Sequence, residues 1–188
     1  MRHLFIFIES RETRDFFTSS PLLTVTYMRK ETAGFTFEVH DDIRHLEEKD
    51  RQLLEKAKAT TANAYAPYSG FSVGAAARMQ TGEIVIGTNQ ENASYPAGLC
   101  AERVLLAAVS SLFPGIRIDS IAVSYSGKSV KSDHPVSPCG ICRQVLSEVE
   151  DRQQQPLRLI LAGFTGPVYI IPSAHALLPL AFRGDELP

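Results

Sequence analysis

All three cysteines of this 188-residue chain stand in patterns that suit a metal ion. Cys100 opens a Cys-Ala-Glu run, and Cys139 and Cys142 form a Pro-Cys-x-x-Cys motif. Three thiolates supply three tetrahedral ligands to zinc and leave the fourth position for water, as a catalytic zinc site requires. Glu102 lies two residues from a proposed ligand and is free to move protons. The pattern predicts a zinc-dependent hydrolase.

Both cysteine motifs stand where a loop is expected to enter a helix. The partial positive charge and unpaired N–H groups of a helix N-terminus lower thiol pKa values and favour the thiolate. Cys139 and Cys142 are three residues apart, so one helical turn brings both sulfurs to the same side. The alternative is three buried structural cysteines without a metal, and a lone Cys-x-x-Cys would also fit a redox motif. The Cys-Ala-Glu run at a second helix start favours the metal.

Two arginines directly follow these motifs. Three thiolates and one Zn²⁺ leave a net negative charge, which would weaken the acidification of bound water. Arg103 and Arg143 are predicted to donate hydrogen bonds to the thiolates and offset that charge; the alternative for each is a surface salt bridge. His134 also lies near a motif, but we interpret it as an ordinary loop histidine because three cysteines already supply the protein ligands.

The elements that must position these residues follow from hydrophobic periodicity. Apolar residues at helical spacing from Leu46 to Tyr65 predict a helix that ends at Ala66-Pro67, because a residue before proline avoids the α region. A hairpin and then alternating strands and helices predict an α/β fold of three layers, α/β/α, around a mixed five-stranded sheet. The other predicted elements are strands 71–79 and 83–86, a helix from 99 to 114, a strand 120–125, a helix 139–149, strands 157–162 and 168–171, and a short helix capped by Ser173.

Residues 1–45 differ from the rest of the chain. They hold charged clusters and short apolar pieces without sustained periodicity. We interpret them as an N-terminal extension that is partly disordered, ahead of one catalytic domain at 46–188. Residues 36–39 predict an edge strand within this extension. Met28 is an alternative translation start, which would remove residues 1–27.

Bulk composition excludes several classes of function. A formal net charge of −2 gives no electrostatic basis for binding nucleic acid. No apolar run approaches the roughly 20 residues of a membrane span. Residues 4–8 are apolar but too short for a secretory signal, and three cysteines in metal-like spacing are typical of a cytoplasmic protein.

Four stretches of the sequence strongly resemble the zinc-dependent cytidine deaminases. The resemblance covers about residues 46–182, and the motifs stand in family order. It implies hydrolysis of cytidine and deoxycytidine to uridine and deoxyuridine with release of ammonia, a reaction of pyrimidine salvage. In this chemistry the glutamate beside the metal acts as acid and base, which is the role implied for Glu102. The four stretches are Tyr-Ala-Pro-Tyr-Ser-Gly-Phe-Ser-Val-Gly-Ala at 65–75, Asn-Gln-Glu-Asn-Ala-Ser-Tyr at 89–95, Cys-Ala-Glu-Arg at 100–103 and Pro-Cys-Gly-Ile-Cys-Arg-Gln at 138–144.

The resemblance also implies a nucleoside site. Asn89 and Glu91 match the positions that hold the ribose hydroxyls, and their side chains can accept hydroxyl protons. Phe71 matches the residue that packs against the pyrimidine, and Ala101 matches a backbone group that reads the base edge. The alternatives are core packing for Phe71 and a polar turn for Asn89 and Glu91.

Two further residues are implied to act between subunits. The compact length resembles the homotetrameric branch of the family, not the dimeric branch with a duplicated domain. Tyr95 matches a residue near the sugar that is offered across a subunit interface. Phe182 resembles the C-terminal aromatic that stacks over the base from a neighbouring subunit, with core packing as the alternative.

Three other functions fit parts of the sequence. A deaminase of an aminoacyl-nucleoside antibiotic would share the zinc site, but the Asn-Gln-Glu-Asn-Ala-Ser-Tyr run favours plain nucleosides. A polynucleotide deaminase would need a basic channel and stacking platforms, which the acidic balance disfavours. A zinc-stabilised binding module without turnover is disfavoured by Glu102 and the open fourth ligand position.

Overall fold

The computed structural model describes residues 28–187, and the chain divides into two units, Met1–Ala33 and Gly34–Pro188. Within the first unit, residues 28–33 are exposed and belong to no helix or strand. The predictions made for residues 1–27 lie outside the described residues. None of the described helices is both long and apolar enough to cross a membrane.

A mixed six-stranded sheet forms the centre of the unit Gly34–Pro188. Its elements along the chain are β1 (Glu38–His40), α1 (Glu48–Thr60), β2 (Phe71–Met79), β3 (Ile84–Thr88), α2 (Ala101–Leu112), β4 (Ile118–Gly127), α3 (Gly140–Gln153), β5 (Arg158–Ala162) and β6 (Val168–Ile171). The strand order is β1-β6-β5-β4-β2-β3. Strands β4 and β5 are parallel and are joined by α3, whereas the other described neighbours are antiparallel. The predicted α/β fold with a mixed sheet is confirmed.

The sixth strand is β1, which corrects the predicted count of five. It pairs antiparallel with β6, and it begins two residues later and ends one residue later than the edge strand that the sequence predicted at 36–39. The ring of Phe37, just before β1, packs against Tyr169 of β6, with ring centroids 4.9 Å apart. In a strand of three residues, the alternation of apolar and polar side chains is too short to predict its pairing from the sequence.

The two faces of the sheet are covered by different helices, which gives the predicted three layers. Strand β2 alternates between the faces, because successive side chains of a strand point to opposite sides. Ala75 and Ala77 belong to the core cluster that contains residues of α2 and α3. Ala76 belongs to the second cluster, with Leu53 and Leu54 of α1.

Helix α1 ends at Thr60, earlier than the predicted end at Pro67, and a 3₁₀ turn, Thr61–Asn63, follows it. The hydroxyl of Thr60 donates to Lys56 O at 2.7 Å, and this local bonding disfavours continuation of a helix. Tyr65 N donates to Asn89 O at 3.1 Å, so the chain here is bound to the loop after β3. A long-range backbone contact of this kind leaves no signal in helical periodicity.

The last predicted helix is a 3₁₀ turn, Ala174–Leu177. Ser173 does not cap it through its side chain; its hydroxyl donates to Glu150 Oε1 of α3 at 2.5 Å. The buried carboxylate of Glu150 also accepts the backbone N–H of Ala174 at 2.6 Å and of Leu157 at 3.1 Å. This side chain therefore fastens the C-terminal region to α3.

Helix α2 lies close against β3 because one strand residue has no side chain. A Cβ at Gly87 would come within 2.6 Å of Ala101 O and within 2.8 Å of Leu105 Cα. These atoms belong to the first turns of α2. Gly87 therefore sets how near the start of α2 lies to the sheet.

Candidate active site

The starts of α2 and α3 bring three cysteine sulfurs together. Cys100 is the residue that immediately precedes α2, Cys139 immediately precedes α3, and Cys142 lies in the first turn of α3. The Sγ of Cys139 is 3.7 Å from that of Cys100 and 3.5 Å from that of Cys142, and all three sulfurs lie within 4.8 Å of one another. The prediction that the two motifs meet at two helix starts is confirmed.

These three sulfurs fit a zinc ion. Sulfurs about 2.3 Å from a tetrahedral zinc lie about 3.8 Å apart, close to the separations observed. The cysteines are free thiols, and a hydrogen bond from Cys142 lowers the pKa of Cys100 to about 6. The same hydrogen bond, together with burial, raises the pKa of Cys142. The cluster therefore stabilises a first thiolate, and metal binding has to displace the remaining protons.

Glu102 lies beside the sulfurs, in the first turn of α2. Its residue surface is 6% exposed, yet it forms part of a pocket wall together with Cys100 and Cys139. Burial raises the pKa of its carboxyl above the ordinary value, because the charged form loses hydration. A carboxyl with a raised pKa is better suited to both accept and release a proton near neutrality.

The pocket beside the sulfurs has a volume of about 730 Å³, within the range of small-molecule sites. Its walls come from the start of β2, the loop between β3 and α2, and the loop that precedes α3. The predicted site residues in the walls are Phe71, Asn89, Glu91, Tyr95, Cys100, Glu102 and Cys139. Cys142 and Ala101 are fully buried behind them.

Asn89 and Glu91 both hold the polypeptide around the pocket. The amide of Asn89 accepts Val73 N–H at 2.7 Å and donates to Phe71 O at 2.8 Å. Glu91 Oε2 accepts the N–H of Tyr68 at 2.9 Å and of Ser69 at 3.3 Å. The pKa of Glu91 is lowered, chiefly by a hydrogen bond from the Ser69 side chain, so its carboxyl is ionised at neutral pH.

Aromatic rings line the mouth of the pocket. Phe71 stacks on Tyr125 with ring centroids 5.0 Å apart and an interplanar angle of 21°. Tyr95 is 76% exposed and makes an edge contact with Tyr68, with centroids 6.1 Å apart. Tyr125 also makes an edge contact with the ring of His134, which lies in a loop, with centroids 6.0 Å apart. An open rim of exposed tyrosines leaves room for a further surface to cover the pocket.

Phe182 stands apart from the other predicted substrate residues. Among the described residues it is not part of the wall of this pocket, and it is 56% exposed. Its backbone carbonyl accepts a hydrogen bond from Gln144 Nε2 of α3 at 2.8 Å. Within one chain, the structure therefore does not bring the Phe182 ring to Glu102 and the sulfurs.

Arg143 braces the backbone around the sulfurs. Its Nε donates to Pro138 O at 2.8 Å and its Nη1 donates to Leu177 O at 3.1 Å. The guanidinium thus bonds to carbonyls, and the predicted hydrogen bond to a thiolate stays a prediction. The charge of Arg103, besides the larger effect of the Cys142 hydrogen bond, also lowers the pKa of Cys100.

Several wall residues were missed from the sequence. The segment Val136-Ser137-Pro138 and Leu99 line the pocket, and Tyr68 and Ser69 hold Glu91 in place. Tyr68 and Ser69 lie inside the 65–75 stretch and Pro138 begins the 138–144 stretch, so these motifs could have identified them as wall residues. Val136 and Ser137 have no side-chain chemistry that distinguishes a pocket wall from any other loop.

Comparison with known proteins agrees with this site. The family model described as the cytidine and deoxycytidylate deaminase zinc-binding region matches residues 47–155. A cytidine deaminase from Halalkalibacterium halodurans is 37% identical over 139 residues, which cover 73% of this chain and 98% of that protein. One from Mycobacterium tuberculosis is 38% identical over 142 residues, covering 72% and 91%. The crystal structure of cytidine deaminase from Burkholderia pseudomallei is similar with a TM-score of 0.62 at 39% identity, covering 73% of this chain and 100% of that chain.

Proposed function

The chain belongs to the cytidine and deoxycytidylate deaminase family, and from that premise we propose how its own residues bind and deaminate a nucleoside. It is a zinc-dependent cytidine deaminase, a hydrolase that acts on the C–N bond at C4 of the base. The observation that carries the residue assignments is the convergence of three cysteine sulfurs and a buried glutamate on one pocket. Deoxycytidine is the second substrate that we propose.

Cys100, Cys139 and Cys142 are the residues that would hold the metal. When bound, zinc supplies a Lewis acid that lowers the pKa of water toward neutrality. Arg103 lies next to Glu102, and its charge would offset part of the negative charge of three thiolates. Arg143 acts on the same site through the backbone, because it bonds to the carbonyl of Pro138 next to Cys139.

Glu102 is the proton carrier of the proposed mechanism. Its carboxylate takes a proton from the attacking water and delivers it to N3 of cytosine, which makes C4 electrophilic. The oxygen adds to C4, and the proton that remains on it passes through the same carboxyl to the amino group. The C4–N bond breaks, and ammonia leaves with uridine as the other product. A buried carboxyl with a raised pKa suits both transfers.

The pocket walls suggest how the nucleoside is oriented. Phe71 packs against the pyrimidine, and the backbone of Ala101 at the start of α2 reads the base edge. Glu91 is ionised and uses Oε2 for Tyr68 and Ser69 N–H, so we assign Oε1 to a ribose hydroxyl. Asn89 supplies a second polar contact to the sugar from the same loop.

We propose that the enzyme is a homotetramer with shared active sites. The exposed rings of Tyr95 and Phe182 support this assembly, since large exposed apolar groups commonly mark protein interfaces. Phe182 would stack over the base bound by a neighbouring subunit, and Tyr95 would approach the sugar across the interface. Closed symmetric assemblies are the usual state of soluble oligomers.

The same chemistry bears on where the enzyme works and which part of the chain is needed. We place it in the cytoplasm, because three metal-binding thiols must stay reduced. The catalytic domain is assigned to residues 46–188, and residues 1–45 are assigned as an extension outside the catalytic machinery.

The direct test follows ultraviolet absorbance as purified zinc-loaded protein converts cytidine to uridine, with deoxycytidine in a parallel assay. We expect turnover of both nucleosides, with ammonia released in equal amount. Glu102→Gln keeps the size of the side chain but cannot carry protons, so turnover should fall by at least about 10²-fold while zinc is retained. Near-normal turnover in this variant would show that another group moves the proton, and no turnover of cytidine by the wild type would contradict the function.

A further inference from the structure

A short C-terminal segment, residues 178–182, is held at both ends by consecutive residues of α3. We call this segment the C-terminal strap. Leu177 O, just before it, accepts from Arg143 Nη1 at 3.1 Å. Phe182 O, at its end, accepts from Gln144 Nε2 at 2.8 Å. The start of α3 therefore carries two of the three sulfurs, those of Cys139 and Cys142, and also holds the two ends of the strap.

The middle of the strap is exposed to solvent. Leu180, in its middle, has a φ of 59° and is fully exposed. A leucine seldom adopts this left-handed conformation, so such a residue needs its surroundings to hold it there. Pro179 adds rigidity because its ring fixes φ. The hydrogen bonds from Arg143 and Gln144 hold the two ends of this segment, and its apolar residues Leu180 and Phe182 are exposed between and at those ends.

The region on either side of the strap is also attached to α3. Upstream, Glu150 binds the backbone N–H of Ala174 and the hydroxyl of Ser173. Downstream, Arg183 Nη1 lies 3.9 Å from Asp151 Oδ1. Between these attachments, Gln144 donates its hydrogen bond directly to the backbone of Phe182, the residue with the exposed ring. Gln144 therefore determines the position of the Phe182 backbone more directly than the neighbouring contacts do.

We propose that Gln144 is a positioning residue that fixes Phe182 for the active site of a neighbouring subunit. This inference rests on the proposed sharing of Phe182 between subunits. Gln144 is two residues from Cys142 along the chain, but it acts on a different site from the one that Cys142 helps to build. Its contribution reaches substrate only through the ring of Phe182, as stacking on the bound base.

Substitution of Gln144 should weaken substrate binding rather than chemistry. Stacking acts on substrate and transition state alike, so its loss raises KM and leaves kcat nearly unchanged. Gln144→Ala should raise KM for cytidine about three- to tenfold, as expected for one neutral hydrogen bond. Gln144→Glu has the same size but lacks the N–H donor, so it should raise KM at least as much. Glu148→Ala, an exposed position one turn further along α3, is the matched control and should leave KM unchanged.

Two readouts can overturn the inference at this stage. Zinc content of both Gln144 variants should equal that of the wild type, because the sulfurs are not disturbed. Loss of zinc, or a fall in kcat with unchanged KM, would mean that Gln144 serves the metal site of its own chain. An unchanged KM in both variants would mean that the strap keeps its position without this bond.

Mixing of subunits tests which active site Gln144 serves. Zinc-loaded variants are dissociated, mixed in pairs and reassociated, and mixed oligomers are confirmed by mass. Activity is measured at cytidine well below KM and expressed per intact Glu102. Gln144→Ala mixed with Glu102→Gln should rise toward the wild-type value, because intact straps now reach sites with an intact glutamate. Gln144→Ala mixed with Phe182→Ala should give only the average of the two, because every strap is defective.

A third pair separates this inference from the proposal on which it depends. Phe182→Ala mixed with Glu102→Gln should also regain activity if Phe182 acts between subunits. Failure of that pair would contradict the shared site itself. If that pair regains activity but Gln144→Ala with Glu102→Gln does not, the shared site stands and the role of Gln144 is wrong.

Discussion

Burial governs how single residues of the site respond to substitution. Cys142 is fully buried, whereas Cys139 is exposed, although both sulfurs belong to one cluster. Removal of the Cys142 side chain would therefore combine loss of a ligand with a packing defect. Cys139 is the better residue for testing the metal alone.

Cys139→Ala should lose most of the bound zinc and lower the thermal stability of the protein. Little packing is removed with an exposed side chain, so the loss of stability would report the binding energy of the metal. Metal analysis and thermal unfolding of protein purified without added zinc provide the measurements. The zinc-retaining Glu102→Gln variant is the control, and full zinc retention in Cys139→Ala would exclude this residue as a ligand.

Asn89 and Glu91 should give different responses although both are assigned to the ribose. Asn89→Ala removes two hydrogen bonds to the backbone of β2, so it should raise KM and also destabilise the protein by about 1–2 kcal/mol. Glu91→Gln keeps an amide oxygen for Tyr68 and Ser69 N–H, so it should raise KM with little change in melting temperature. Steady-state kinetics on cytidine and thermal unfolding separate the two effects. Wild-type KM values in both variants would contradict the ribose assignment.

Single residues differ in how well the sequence predicts them. Few residue types can hold zinc, so the spacing of Cys100, Cys139 and Cys142 was enough to predict that they meet. The hydrogen bonds from Asn89 to β2 and from Arg143 to Leu177 O join distant parts of the chain, so the composition of the sequence does not predict them. The exposed position of Phe182 likewise could be learned only from the folded structure.

At the level of elements, the site depends on how closely α2 lies against the sheet. The helix carries Cys100 just before its first residue and Glu102 in its first turn. Gly87 of β3 faces the backbone of that same turn. The position of the Glu102 carboxyl therefore depends on Gly87, a residue without a side chain.

Gly87→Ala should displace the start of α2 and impair catalysis. The added Cβ would meet backbone atoms of Ala101 and Leu105, which cannot rotate away as a side chain can. We expect lower stability, by about 1–3 kcal/mol as for an overpacked core, together with a reduced kcat. Kinetics and denaturant unfolding of the zinc-loaded variant provide the check. Gly82→Ala is a poor control, because Gly82 has a positive φ and an alanine there would be strained. Ala107→Gly, which changes an exposed residue later in α2, is the better control.

Element types were predictable from the sequence where the periodicity was long, as in β2 and α2. Element ends were less predictable, because contacts made elsewhere in the fold decide them. Helix α1 ends at Thr60, where a threonine hydroxyl bonds back to the helix and the following chain joins the loop after β3. Strand β1 exists through its pairing with β6, which lies far away along the chain.

For the whole molecule, we expect assembly into a tetramer. Light scattering of the zinc-loaded protein should give a mass near four chains of 20.7 kDa across a range of protein concentrations. Exposed Leu180 and Phe182 would become buried on assembly, so the tetramer should persist at moderate salt. A monomer with full cytidine deaminase activity would contradict the shared site.

The sulfurs of Cys100, Cys139 and Cys142 are close enough to react with one another as well as to share a metal. Cys139 is exposed, so an oxidant such as peroxide can reach its sulfur. A sulfenic acid formed there condenses with a neighbouring thiol, and either neighbour lies within 3.7 Å. The resulting disulfide would consume two of three ligands at once. Bound zinc therefore also protects these cysteines, and enzyme oxidised without its metal would need a thiol reductant before zinc could restore it.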